Sequence, residues 1–211
     1  MAEKNEKMEV RSFPVGELRA GDGDKPVIEG YAAVYNQRSE PMWNFVEVIE
    51  PGFFEGALYG DIRSVWNHNT DYPLGRTLNG TLILEDDERG LAVKIDPPDT
   101  SWGRDALASV KRGDVSQMSF AFSVRENGDR WVQNDDGSYI RFLKRGGCEQ
   151  LYEVSPVTFP AYPQTSVSVR SMVETLQNQR AEQPEEEEAQ RGLEEKENVR
   201  RRHALRKKRL I

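Results

Sequence analysis

Aromatic side chains are confined to the first four-fifths of this chain, and that limits where a core can form. All four tryptophans, most aliphatic residues and nearly all glycines lie between Met8 and Arg170, whereas Ser171–Ile211 contains no Phe, Tyr or Trp. Within that last stretch, Ala181–Glu197 holds eight Glu against two basic residues, and Asn198–Ile211 holds seven Arg or Lys and no acid. Opposed charge blocks with few large apolar groups bury too little surface to offset chain entropy. The expected organisation is a flexible N-terminus at 1–7, a folded domain at 8–170 and a charged tail at 171–211. The tail is expected to be disordered or helical, since Glu, Gln, Lys, Arg, Ala and Leu are good helix formers.

The domain reads mainly as strands. Val27–Tyr35, Trp43–Ile49, Ile62–Asn67, Thr81–Glu85 and Leu91–Ile95 are short β-type runs divided by Gly, Pro, Asn and Asp clusters. Asp86–Gly90 has the composition of a hairpin connection, and Val115–Arg125 and Leu151–Phe159 are further strand candidates. Helices are expected from Pro51 through Leu58, with proline in the first turn, and over Trp102–Lys111 behind the capping candidates Thr100 and Ser101. Many strands and few helices indicate an α+β domain on a curved or barrel-like sheet.

Composition removes several function classes. Lys plus Arg total 29 against 36 Asp plus Glu, a net charge of -7, which argues against a direct nucleic-acid role. Cys148 is the single cysteine, so no intrachain disulfide forms. The opening residues lack the apolar core of a signal peptide, and no run approaches the roughly 20 apolar residues that span a membrane. A soluble, intracellular protein without membrane attachment is expected. There is no GxxxxGK[ST] or GxGxxG motif, which weakens NTPase and dehydrogenase readings. His68 and His203 are the only histidines, so a three-histidine zinc site cannot form within the domain. No cofactor is called for.

If the domain uses a histidine as acid or base, it is therefore His68, in Val65-Trp66-Asn67-His68-Asn69, where an apolar strand enters a polar loop. On local context alone a structural histidine is the commoner reading. Ser119 lies in Gln117-Met118-Ser119-Phe120-Ala121-Phe122. Strand alternation gives Met118, Phe120, Phe122 and Val124 one face, and Gln117, Ser119, Ala121 and Ser123 a small polar one. A serine hydroxyl is a weak nucleophile without a neighbouring base, so Ser119 gains weight only beside His68. Glu153, between apolar residues in Leu151–Val157, is the best candidate to orient an imidazole, with Glu149 its rival. The competing reading is a glutamate on the exposed side of an edge strand, which Pro156 would suit.

Taken together, these segments resemble the tailed-phage prohead protease family, whose fold is similar to that of the herpesvirus maturational protease. Trp66-Asn67-His68-Asn69 is followed by Tyr72-Pro73-Leu74-Gly75-Arg76, then by Gly90-Leu91-Ala92-Val93. Lys111-Arg112-Gly113-Asp114 leads into Met118-Ser119-Phe120, and Glu153-Val154-Ser155-Pro156 runs on to Pro160-Ala161. The opening Glu29–Tyr35 fits the family's first strand. Each motif is common alone; together, in this order from Glu9 to Ser171, they are specific. The resemblance implies a serine endopeptidase with nucleophile Ser119, base His68 and, where the herpesvirus relatives use a second histidine, a carboxylate such as Glu153. It implies capsid and scaffold proteins as substrates, self-cleavage, a homodimer, and a site of action inside the assembling prohead in the host cytoplasm. Backbone N–H groups would hold the oxyanion; for Arg76 a structural ion pair is the more natural role. Three other readings stay open: an inactive scaffold protein with the same fold, a cysteine hydrolase using Cys148 with His68, and an unrelated β-rich binding module.

Overall fold

The alternation read in Gln117–Val124 turns out to organise the centre of the molecule. The computed structural model describes residues 8–13, 18–21 and 25–159. The segments expected to form the flexible N-terminus (1–7) and the charged tail (171–211), together with Pro160-Ala161, lie outside the described residues. In chain order the strands are β1 (Glu9–Phe13), β2 (Arg19–Ala20), β3 (Ile28–Val34), β4 (Phe45–Ile49), β5 (Arg63–Trp66) and β6 (Asn69–Arg76). Then come β7 (Leu82–Asp86), β8 (Gly90–Ile95), helix α1 (Ser101–Arg112), β9 (Gln117–Val124), β10 (Asp129–Gln133), β11 (Tyr139–Leu143) and β12 (Cys148–Val157).

The strands form three sheets, ordered β1-β9-β12-β5-β6, β2-β3-β8-β7 and β10-β11-β4. The architecture is mostly β with one α-helix among the described residues, and the barrel-like closure expected from the sequence is absent from them. Each sheet keeps its edges, because no ladder joins its first strand to its last.

The helix expected from Pro51 is also absent; this stretch is a chain of turns. Gly52 and Gly56 have φ of 78° and 84°, in the left-handed region that ends a right-handed helix. The turns close through i to i+3 bonds, Phe53 N–H to Glu50 O and Ala57 N–H to Phe54 O. The segment still delivers two large side chains to the core. Phe53 and Phe54 meet Phe122 and Phe120 with ring centroids 5.6 Å apart in each pair, and all four rings are fully buried. Such aromatic pairs contribute about 0.5–1.5 kcal/mol each beyond their area. This block packs behind β9 and fixes the strand that carries Ser119.

The second helix forms as expected. The Thr100 side chain caps it by accepting from Gly103 N–H, and Gly103, Ala106 and Val110 make its buried stripe.

The sequence reading missed β1, β2, β6, β10 and β11. Three of these carry residues of a buried charge network that no local pattern announces. Arg11 on β1 bonds both Glu47 of β4 and Glu9. Arg141 on β11 bonds Glu9 at 2.6 and 2.9 Å, Glu47 at 2.7 Å and Asp129 of β10 at 2.6 Å. Glu47 is wholly inaccessible, and Arg11 and Arg141 are nearly so. Two cations and three anions therefore fasten the five-stranded sheet to the three-stranded one. Burial pushes the Glu9 carboxyl up, but the charge and hydrogen bonds of Arg141, then those of Arg11, outweigh it and hold Glu9 below the usual glutamate range.

Removing one partner from such a network strands buried charge. Arg141→Ala should therefore cost about 3–5 kcal/mol in urea unfolding at neutral pH. Because Glu9's folded value is depressed, its contribution is complete above the unfolded value of about 4.3. It is lost as pH falls through the lower folded value. Unfolding at pH 7 and pH 3 should show a smaller pH dependence for a Glu9→Gln variant than for the wild type.

Candidate active site

Two backbone irregularities assemble the site. The first is the turn between β5 and β6. Trp66 pairs with Asn69, so Asn67 and His68 alone make the connection, with φ of 52° and 59°. Left-handed values at both positions define a type I′ hairpin, whose twist suits the flanking strands and whose preferred sequence is Asn-Gly. The expected polar loop after His68 is instead this two-residue reversal. His68 stands where glycine is favoured, and the strain is stored at a chemically useful side chain.

The second is a bulge in β12. Leu151 pairs with Phe122 and Glu153 with Ala121, so Tyr152 is an extra residue without a β9 partner. In unbroken alternation Glu153 would share the core-facing side of Leu151. The bulge moves it to the other face, with Ser155, which pairs with Ser119. The same register places Ser12 of β1 opposite Ser119. Paired Cα atoms in such ladders lie about 4.5–5.5 Å apart, so Ser119 and Ser155 are immediate neighbours. β12 is an interior strand of its sheet, which removes the edge-strand reading of Glu153. Pro156 is tolerated there because its carbonyl side, where its missing N–H would also point, faces the end of β5: Asn67 N–H bonds Pro156 O at 3.1 Å.

His68 leans back over this face. Its Nδ1 lies 2.5 Å from Glu153 Oε1, both side chains being partly buried. The Ser155 hydroxyl donates to the other carboxylate oxygen, Oε2. A carboxylate accepts, so in the neutral ring this contact puts the proton on Nδ1 and leaves Nε2 as the lone-pair nitrogen. That Nε2 is buried without a hydrogen-bond partner. Ser119 is fully buried, and its hydroxyl donates to Arg11 O on β1 at 2.8 Å. The structure thus brings His68 and Glu153 into contact and sets Ser119 on the same face one strand away, with no Ser119–His68 hydrogen bond. The small polar face of β9 is buried too, at Ser119, Ala121 and Ser123.

The other candidates fall elsewhere. Cys148 is buried in the core near the far end of β12, and burial pushes its thiol up to about 12, which suits no nucleophile. Glu149 occupies an earlier bulge of β12, four positions from Glu153. Arg76 makes a bidentate pair with Asp61, at 2.6 Å through both Nε and Nη2, at the opposite end of β6 from His68. Sequence reasoning gave no role to Ser155 or Asn67. The signal for Ser155 was its i+2 spacing from Glu153, which puts both on one strand face.

A histidine whose Nδ1 is held by a carboxylate, on the sheet face that also carries Ser119, is a pairing of the kind serine hydrolases use. Residues 12–179 match the model of the caudovirus prohead serine protease family. The chain is 32% identical over 175 residues to the prohead protease of enterobacteria phage HK97, covering 79% of this chain and 70% of that protein. The bacteriophage T4 capsid assembly protease has a similar structure, with a TM-score of 0.47 and 10% identity over 72% of this chain and 97% of that one. The chain belongs to the caudovirus prohead serine protease family and is a serine protease.

The left-handed turn carries a stability prediction. Glycine fits a φ of 59° and alanine does not, so His68→Gly should be more stable than His68→Ala by about 1 kcal/mol. Paired chemical denaturation of the two variants would measure it.

Proposed function

We propose that this chain is an endopeptidase of prohead maturation in which Ser119 is the nucleophile, His68 its base and Glu153 the group that orients the base. The observation that carries this reading is the orphaned Nε2 of His68, a buried lone pair on a ring whose Nδ1 is fixed by Glu153. A buried acceptor without a donor is costly, and a serine hydroxyl is the donor this face supplies.

In that mechanism the Ser119 hydroxyl turns about its Cα–Cβ bond from the Arg11 carbonyl to His68 Nε2. The side-chain oxygen attacks a peptide carbonyl as its proton passes to Nε2, and the imidazolium is stabilised by Glu153. The proton then goes to the leaving amine, giving an acyl-enzyme. Water, deprotonated by the same nitrogen, releases the acid and restores the serine. Backbone N–H groups hold the oxyanion meanwhile. Ser155 keeps the carboxylate from turning away from the ring.

The substrates in this proposal are the major capsid protein, scaffold segments and the chain's own charged stretch 171–211, cut inside the assembling prohead. Family membership and the name of the HK97 relative support that substrate class. The herpesvirus-like arrangement and the homodimer implied by the sequence resemblance belong to the same proposal.

Wild type and variants would be co-expressed with the cognate capsid protein and followed by intact mass. Ser119→Ala and His68→Ala should abolish cleavage within detection, and Glu153→Gln should lower it by about 10²–10⁴-fold. Ser155→Ala should leave measurable activity, losing about 10-fold, the worth of a hydrogen bond to a charged group. Full activity in Ser119→Ala, with none in Ser155→Ala, would move the nucleophile to Ser155.

A further inference from the structure

His68 is aimed by a turn two residues long, and its turn partner is tied down more firmly than a surface asparagine needs to be. Asn67 is exposed. Its backbone N–H bonds Pro156 O at 3.1 Å, its side-chain Oδ1 accepts the Thr158 N–H at 2.7 Å, and its Nδ2 donates to Thr158 Oγ1 at 3.2 Å. All three bonds run to the end of β12, the strand that carries Glu153 and Ser155. β5 and β12 are joined by two register pairs, Glu153 with Arg63 and Val154 with Ser64. Beyond them, the Asn67 bonds take over the junction. They fix where the β5–β6 turn stands relative to β12, and so where the next residue, His68, meets Glu153.

We propose that Asn67 is a positioning residue for the catalytic base, clamping the His68 turn to the end of β12 so that Nδ1 stays on Glu153. The catalytic part of the claim rests on the Ser119–His68–Glu153 reading; the clamp itself does not. Asn67 touches no reacting atom and acts only through His68. An asparagine suits the task twice. It tolerates the left-handed φ the turn demands, and its amide offers an acceptor and a donor to one backbone-and-hydroxyl pair. Glycine would satisfy the turn and delete the clamp, so Asn67→Gly separates the two roles. Asp tolerates the same backbone and keeps the acceptor for Thr158 N–H, so Asn67→Asp should retain most of the effect.

The direct readout is the His68 ring. The chain holds only two histidines, so selective ¹⁵N-histidine labelling gives two ring systems, and a Gln replacement of His203 assigns them. In full-length Ser119→Ala protein at a pH where the ring is neutral, His68 should populate one tautomer, protonated on Nδ1. Adding Asn67→Gly should convert it to a mixture of both tautomers; adding Asn67→Asp should leave the Nδ1–H form dominant. In the catalytically intact chain, Asn67→Gly should slow capsid-protein cleavage by about 10-fold or more, since small misplacements of a base are costly. In a Glu153→Gln background the same substitution should change the rate by less than about two-fold, because the contact it protects is already gone. An unchanged tautomer in Asn67→Gly overturns the clamp, as does an equal rate loss in both backgrounds. Cleavage that persists in Ser119→Ala overturns the triad reading instead, while the tautomer result still decides whether Asn67 holds the ring.

Discussion

Eight register pairs, from Cys148 against Val124 to Val157 against Gln117, join β9 and β12 inside the five-stranded sheet, and every site residue takes its place from that ladder. Ser119 and Ser155 are partners within it. Glu153 reaches their face only because the ladder carries one extra residue at Tyr152. His68 arrives from β5, which runs parallel to β12 on its other side. Behind β9, the Phe53, Phe54, Phe120 and Phe122 rings leave the strand no room to slide. The candidate site thus stands on a strand backed by a buried aromatic block, where small displacements are resisted by close packing.

The same face shows how polar groups survive inside such a core. Ser119, Ser155, Glu153 and His68 form bonds along adjacent strands, and Nε2 of His68 is the group left over. A second polar cluster, that of Arg11, Arg141, Glu9, Glu47 and Asp129, lies between two sheets. There each guanidinium answers more than one carboxylate. Both clusters involve β1, through the Arg11 carbonyl in one case and the Arg11 side chain in the other. A short strand at a sheet edge is thereby tied into the interior from two directions.

Much of this was legible in the sequence and some was not, for physical reasons. The β9 alternation, the β7–β8 hairpin at Asp86–Gly90 and the α1 helix behind Thr100 depend on neighbours within a few residues, and they appeared as read. The Pro51–Leu58 helix failed because two glycines took left-handed conformations in a segment whose proline and phenylalanines suited a helix. β1 and β11 carry charged residues at positions that are buried, and partners 36 and 132 residues away make that burial tolerable. For the site, the identities of His68, Ser119 and Glu153 came from motif order. The face of Glu153 did not, because a single bulge reverses the face of everything beyond it and no composition rule locates one.

The hairpin at Asn67-His68 has a consequence for how this sequence can vary. Its imidazole is placed by chain length as much as by residue type, since two residues are the whole connection between Trp66 and Asn69. One added residue would replace the type I′ reversal by a wider loop and swing the ring off β12, even with every side chain retained. Variation here is therefore constrained in spacing as well as in chemistry: an insertion or deletion would carry the imidazole away from Glu153 as surely as replacing His68 would remove it.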